Sequence, residues 1–133
     1  MTRYVIPFNE LRMTDVDKVG GKNASLGEMI SQLPSNVRVP GGFATTADAY
    51  REFLAHNGLA DRINAALDAL DVDDVDALVK TGAQIREWII ELPFPAQLAA
   101  EIKTAYHKIT AEGEGSFAVR SSTTNKNLPD ASF

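Results

Sequence analysis

The order of apolar and polar residues predicts short strands near both ends of the chain, with helices between them. A β-branched and aromatic run at residues 4–6, closed by Pro7, is typical of a first strand. Residues 37–39 alternate apolar and polar before Pro40 and predict a second strand. Residues 116–121 predict a third strand that leads into a polar segment. We expect these strands to form one small sheet.

Apolar residues recur at helical spacing in five places between the first and last strand. Pro34 stops the first helix, Thr46 is the expected cap of the second, and Asn57-Gly58 is its left-handed end. Pro95 fits the first turn of the fifth helix. The five stripes are Leu26, Met29, Ile30 and Leu33; Ala47, Tyr50 and Leu54; Leu59, Ile63, Ala66, Leu67 and Leu70; Val75, Leu78, Val79, Ile85, Trp88, Ile89 and Leu92; and Leu98, Ile102, Ala105, Tyr106 and Ile109.

The predicted fold class is therefore α+β, with a small sheet covered by about five helices. The chain has 133 residues, of which 44% are hydrophobic and 23% charged. This is the length and balance of one folded globular domain. We interpret residues 1–133 as one domain or one large piece of a domain.

Charge and composition exclude several classes of function. Thirteen basic and eighteen acidic residues give a net charge of −5, so the broad positive surface of a nucleic-acid-binding protein is missing. The absence of cysteine excludes disulfides, thiolate zinc sites and cysteine nucleophiles. Residues 1–10 have no signal-peptide core, and no apolar run has membrane-spanning length. We expect a cytoplasmic protein without nucleic-acid or membrane partners, in which a few placed cations meet any bound anion.

Two cations occupy positions suited to phosphate binding. Gly20-Gly21-Lys22 lies at the predicted start of a helix, where unpaired N–H groups and the positive end of the helix dipole favour an anion. Arg120 ends the third predicted strand, and its planar guanidinium suits bidentate phosphate contact. Each residue also has a plainer interpretation. Lys22 would be a solvated lysine after a turn, and Arg120 an arginine on an edge strand.

Other polar residues carry a weaker case for function. His56 and His107 lie near predicted helix ends, where the dipole favours a cation, so a phosphate-accepting or metal-binding role is not assigned. Trp88 belongs to an apolar stripe and is expected in the core. The acidic stretch lacks the spacing of a calcium loop and predicts a solvated connection between helices. Its members are Asp68, Asp71, Asp73, Asp74 and Asp76.

Three ordered blocks give the chain a resemblance to a known family. Residues 19–29, residues 39–46 and residues 117–122 closely resemble the start of the phosphoenolpyruvate synthases, also called pyruvate, water dikinases. The resemblance covers the whole chain and implies the N-terminal portion of an ATP-grasp nucleotide-binding domain. It also implies that Lys22 and Arg120 contact the phosphates of ATP.

The resemblance implies a reaction that this chain does not complete alone. The family converts ATP, pyruvate and water to AMP, phosphoenolpyruvate and phosphate in gluconeogenesis, with magnesium and a phosphohistidine. The magnesium ligands, the phosphohistidine domain and the pyruvate-binding domain would lie beyond Phe133, so no catalytic residue and no metal ligand is expected here. Neither histidine matches the phosphohistidine motif. Assembly as a homodimer stays open.

The chain departs from the family pattern after residue 122, which leaves alternatives open. Lys126 and Asn127 replace two acids, making that loop more positive. A related phosphotransferase, such as a rifampin phosphotransferase or pyruvate, phosphate dikinase, would use the same front end on another acceptor. A third interpretation is a stand-alone binding module without catalysis.

Overall fold

The computed structural model describes residues 3–111 and 115–124. These residues contain two short antiparallel strands and five helices of nine or more residues. The chain divides into one compact unit of residues 1–50 and 97–133 and a second of residues 51–96. The strands are β1 (Val5–Pro7) and β2 (Phe43–Thr45), and the helices are the short α1 (Val16–Val19), α2 (Gly21–Gln32), α3 (Ala47–Ala55), α4 (Leu59–Asp68), α5 (Val75–Glu91) and α6 (Ala96–Ala111).

The sheet confirms the first predicted strand and moves the second. β1 pairs with β2 so that Ile6 faces Ala44, and the Phe8 N–H donates to the Gly42 carbonyl at 2.9 Å. The prediction of a strand at residues 37–39 is wrong. Val37 closes a turn in which its N–H donates to the Pro34 carbonyl, and Arg38 and Val39 are irregular. A strand forms only where a neighbouring strand provides hydrogen-bond partners. Here β1 provides them to residues Phe43–Thr45, which follow Pro40, and not to residues 37–39.

The third predicted strand is also wrong for the residues described. Residues 115–124 have no strand pairing, and Val119 is 99% exposed. Phe117 packs on Tyr106 of α6, with ring centroids 5.6 Å apart. Without a neighbouring strand in the described part of the chain, the apolar run cannot form a ladder, and the sheet has two strands rather than three.

Helix α2 packs through its smallest residues. Ala24 and Gly27 are buried one turn apart, and Ala24 belongs to a core cluster with Leu11, Val19 and Ala44. A side chain at Gly27 would contact the Leu11 side chain, and its Cβ would lie 2.5 Å from the Leu11 carbonyl oxygen. The helix prediction is confirmed, but the most buried positions are Ala24 and Gly27 rather than the predicted stripe, of which Leu26 and Ile30 are half-buried. Two members of that stripe, Met29 and Leu33, are each 40% exposed.

Thr46 joins the sheet to helix α3, as its predicted capping role requires. Its hydroxyl accepts a hydrogen bond from the Ala49 N–H at 3.1 Å and donates one to the Arg3 carbonyl at 2.9 Å. The Thr46 N–H donates to the Tyr4 carbonyl at 3.0 Å. Because Thr46 is only 6% exposed, these bonds satisfy groups that water does not reach.

Residues 51–96 form a helical unit with its own apolar contacts. Phe53 and Phe94 meet edge to face with centroids 5.7 Å apart, and Leu59 is fully buried. The Arg62 guanidinium lies 5.0 Å from the centre of the Trp88 ring, a cation–π distance. Trp88 is thus half-buried against a cation rather than enclosed in a core.

Local signals set the helix ends in this unit. Asn57 and Gly58 both have positive φ, 54° and 69°, which confirms the predicted left-handed end of α3. The Asp74 carboxylate accepts the Ala77 N–H at 3.1 Å and caps α5. Pro95 lies just before α6 rather than within its first turn.

Replacing Gly27 by alanine should destabilise the fold. The added methyl group meets backbone oxygens of Leu11 and Phe8 that cannot move aside, so we expect a loss of about 2–3 kcal/mol in the free energy of unfolding. Gly82→Ala in α5 is the matched control. Its methyl group would meet only the end of the Arg86 side chain at 3.4 Å, and we expect a gain of about 0.5–1 kcal/mol. Urea unfolding measures the free energy of unfolding of both variants. Equal changes in Gly27→Ala and Gly82→Ala would contradict this packing of α2.

Replacing Thr46 by valine should remove both hydroxyl bonds while keeping the side-chain volume. The Ala49 N–H and the Arg3 carbonyl would lose their partner, so we expect about 2 kcal/mol of destabilisation. Thr46→Ser keeps the hydroxyl and should cost about 0.8 kcal/mol, the value of one buried methyl group. Thermal unfolding measures both variants. A lower melting temperature for Thr46→Ser than for Thr46→Val would exclude the capping role.

Candidate functional site

The two segments predicted to bind phosphate meet at the amino end of α2. The Gly21 N–H donates to the Thr123 carbonyl at 3.2 Å. Lys22 is the residue after Gly21, and Arg120 lies three residues before Thr123. The fold therefore brings together two blocks from near the two ends of the sequence.

This contact requires glycine at position 20. Gly20 has φ +86°, and a Cβ there would contact the Ser122 hydroxyl oxygen and lie 2.7 Å from the Thr123 carbonyl oxygen. We call Gly20, Gly21, Ser122 and Thr123 the α2 junction. The sequence indicated the two glycines. It did not indicate that Gly20 and Ser122 touch, because a contact between distant segments leaves no local pattern.

The amino end of α2 keeps backbone donors available. The Gly21 N–H is bonded to Thr123, and the Ala24 N–H donates to the Gly20 carbonyl at 3.1 Å. For the N–H groups of Lys22 and Asn23, no acceptor is found within residues 3–111 and 115–124. Two unpaired N–H groups at the positive end of a helix dipole favour an anion.

The Asn23 side chain fixes how α1 leads into α2. Its amide nitrogen Nδ2 donates to the Val19 carbonyl at 2.8 Å, at the carboxyl end of α1. The Gly20 N–H donates to the Val16 carbonyl at 2.8 Å. The two bonds satisfy terminal carbonyls of α1 and hold Gly20 at the start of α2.

Both predicted cations are exposed and available for a ligand. Lys22 lies in the first turn of α2, and Arg120 lies in the irregular segment before the junction. Neither side chain has an ion pair or hydrogen bond with the described residues. The expectation that Arg120 leaves a strand of the sheet is wrong, because residues 115–120 are unpaired. The segments that contain Arg120 and Lys22 are thus connected through the α2 junction and not through an edge of the sheet.

The remaining candidate residues lie outside the junction. His56 is in the turn after α3, and the ring of His107 on α6 lies 6.2 Å from that of Tyr106. The acidic stretch connects two helices, with the Asp71 carboxylate accepting the Asp73 N–H at 3.0 Å, as predicted. Across residues 3–111 and 115–124 no group of three or more histidine or acidic side chains could hold a metal ion.

A cavity of about 510 Å³ lies elsewhere in the unit of residues 1–50 and 97–133. Its cations are already paired. Arg3 binds Glu10 at 2.9 Å, which lowers the pKa of that carboxyl group and raises the pKa of the guanidinium, and Lys18 lies 3.4 Å from Asp15. Acidic residues outnumber basic ones in its lining, which disfavours a polyanion. The lining residues are Arg3, Ile6, Glu10, Leu11, Asp15, Lys18, Thr46 and Asp48.

None of the helices in the described part of the chain combines the length and apolarity needed to cross a membrane.

Comparison with known proteins tests the resemblance carried by the three blocks. Residues 16–133 match the family model described as "Pyruvate phosphate dikinase, AMP/ATP-binding domain". The phosphoenolpyruvate synthase of Neisseria meningitidis serogroup B is 65% identical over 98% of this chain and 17% of its own length. The phosphoenolpyruvate synthase of Pseudomonas aeruginosa is 60% identical over 100% of this chain and 17% of its own length. That of Escherichia coli K12 is 56% identical over 97% of this chain and 16% of its own length.

The chain spans about one sixth of the length of these relatives. The match nevertheless includes both cations and the whole α2 junction. The family model covers most of the chain, and the relatives match nearly the whole length of the chain. The chain therefore belongs to the pyruvate phosphate dikinase AMP/ATP-binding domain family.

Proposed function

We propose that this chain forms part of the ATP-binding domain of an enzyme that converts pyruvate, ATP and water to phosphoenolpyruvate, AMP and phosphate. The observation that carries the proposal is the α2 junction, which joins the segments of Lys22 and Arg120 at a helix end where two N–H groups have no acceptor among the described residues. The names of the relatives support this reaction.

The chemistry that this chain contributes is binding and charge neutralisation. A triphosphate carries several negative charges, and phosphoryl transfer depends mainly on positioning it and stabilising its charge. Lys22 would supply a mobile point charge and Arg120 a planar pair of donors, while the N–H groups of Lys22 and Asn23 would bind phosphate oxygens. No residue of this chain is proposed to accept the phosphoryl group.

Magnesium neutralises phosphate charge when it is bound in reactions of this class. The described residues offer no acidic cluster to hold it, so we assign no magnesium ligand to them. An ATP-grasp architecture, the assignment of residues 1–133 to part of one ATP-binding domain, and a cytoplasmic location remain proposals. The mixed fold and the family match support the first two.

Neutralising either cation should weaken ATP binding by the complete polypeptide that contains this chain. We expect Lys22→Met and Arg120→Met each to raise the Kd for ATP roughly 10- to 100-fold, because each removes a charged hydrogen-bond donor. Isothermal titration measures the change. Lys80→Met and Arg38→Met remove exposed cations outside the junction and are the matched controls. If both Lys22→Met and Arg120→Met kept the wild-type affinity for ATP, the assignment of the site to these residues would be overturned.

Adding a side chain at Gly20 should separate the two segments while both cations remain. Gly20→Ala places a methyl group against Ser122 and Thr123 and disfavours the positive φ, so we expect lower stability and at least about tenfold weaker ATP binding. Gly21→Ala is the stability control, because nothing lies within 4 Å of its added Cβ. Wild-type ATP affinity in Gly20→Ala would show that the junction does not position the cations.

A further inference from the structure

The Ser122 hydroxyl is shielded from water, yet no described residue forms a hydrogen bond with it. Its oxygen is the only buried side-chain nitrogen or oxygen without a partner within residues 3–111 and 115–124. A buried hydroxyl without a partner destabilises the protein, because it loses its bonds to water and gains none. An alanine in its place would avoid this cost. Hydrogen bonding within the described residues therefore gives no reason for a hydroxyl at this position.

The position of this hydroxyl relates it to the candidate site. The oxygen packs against Gly20 at the start of α2, where even one added carbon atom would contact it. The neighbouring Thr123 carbonyl already accepts the Gly21 N–H. The junction thus uses a glycine with positive φ to make room for a hydroxyl that bonds to nothing in the described structure.

Several hydrogen-bond donors belong to the two segments that meet at the start of α2. The N–H groups of Lys22 and Asn23 and the charged groups of Lys22 and Arg120 can all donate. A serine hydroxyl can donate as well as accept, and a phosphate offers only acceptor oxygens. An oxyanion is the ligand that satisfies this set of donors.

We propose that the Ser122 hydroxyl donates a hydrogen bond to a phosphate oxygen of the bound nucleotide. This inference rests on the proposed function, and it adds a third side chain to Lys22 and Arg120. Neighbouring atoms cover the oxygen, so the bond requires rotation about the Ser122 Cα–Cβ bond or a shift of residues 121–124. Residues 121–124 are irregular and largely outside the core, which permits such a change.

A ligand-binding hydroxyl and a structural hydroxyl respond differently to removal. If Ser122 only supported the junction, Ser122→Ala would lower the melting temperature of the ligand-free protein. If Ser122 binds phosphate, the same change removes an unsatisfied group, so the melting temperature should stay the same or rise. The affinity for ATP should then fall about tenfold, because a hydrogen bond to a charged oxygen is lost.

The test measures ATP affinity and ligand-free melting temperature in the complete polypeptide, for Ser122→Ala, Ser122→Cys and the exposed neighbour Ser121→Ala. We expect both Ser122 variants to bind ATP and inorganic tripolyphosphate about tenfold more weakly, without a lower melting temperature. Cysteine fills the same place with a weak donor, so it separates hydrogen bonding from packing. Ser121→Ala should match the wild type.

Two results would overturn the inference. One is ATP affinity within twofold of wild type in both Ser122 variants. The other is a fall in affinity that accompanies an equal fall in stability for both variants. The Lys22→Met and Arg120→Met proteins distinguish this failure from failure of the proposed function. If they lose ATP affinity while the Ser122 variants keep it, the site stands and only the role of Ser122 is wrong.

Discussion

Helix α2 can occupy its place only because two of its glycines carry no side chain. At Gly27 the helix approaches the backbone of Phe8 and Leu11, and at Gly20 its amino end approaches the backbone of Thr123. The first approach packs the helix against the core, and the second presents its N–H groups beside the segment of Arg120. One constraint, close approach of backbone to backbone, therefore determines both the fold around α2 and the geometry of the candidate site.

The proposed site uses two exposed cations of a chain that is acidic as a whole. Because the net charge of −5 disfavours a polyanion, binding depends on local groups. Lys22 and Arg120 are free of ion pairs in the described structure, whereas Arg3 and Lys18 are held by carboxylates. This difference in pairing, rather than the size of a cavity, distinguishes the α2 junction from the 510 Å³ cavity.

Local chemistry was predictable from the sequence, and contacts between distant segments were not. The Thr46 cap and the left-handed Asn57-Gly58 end were correct because each depends on residues a few positions apart. The strands expected at residues 37–39 and 116–121 were wrong because a strand needs a partner, and apolar alternation does not name one.

The candidate site shows the same limit. Lys22 and Arg120 were identified by the resemblance of three blocks, because a lysine after two glycines has a plain alternative as a solvated turn residue. The junction that relates them depends on Gly20 meeting Ser122, a contact that no periodicity encodes. The most buried positions of α2 were missed for a related reason. Pattern analysis gives weight to large apolar residues such as Met29, while close approach selects Ala24 and Gly27.

A crystal structure of the complete polypeptide with a non-hydrolysable ATP analogue tests the central claim most directly. The account predicts the triphosphate at the amino end of α2, with the charged groups of Lys22 and Arg120 and the Lys22 N–H about 3 Å from phosphate oxygens. A triphosphate bound away from the α2 junction, for example in the cavity lined by Arg3 and Asp48, would contradict it.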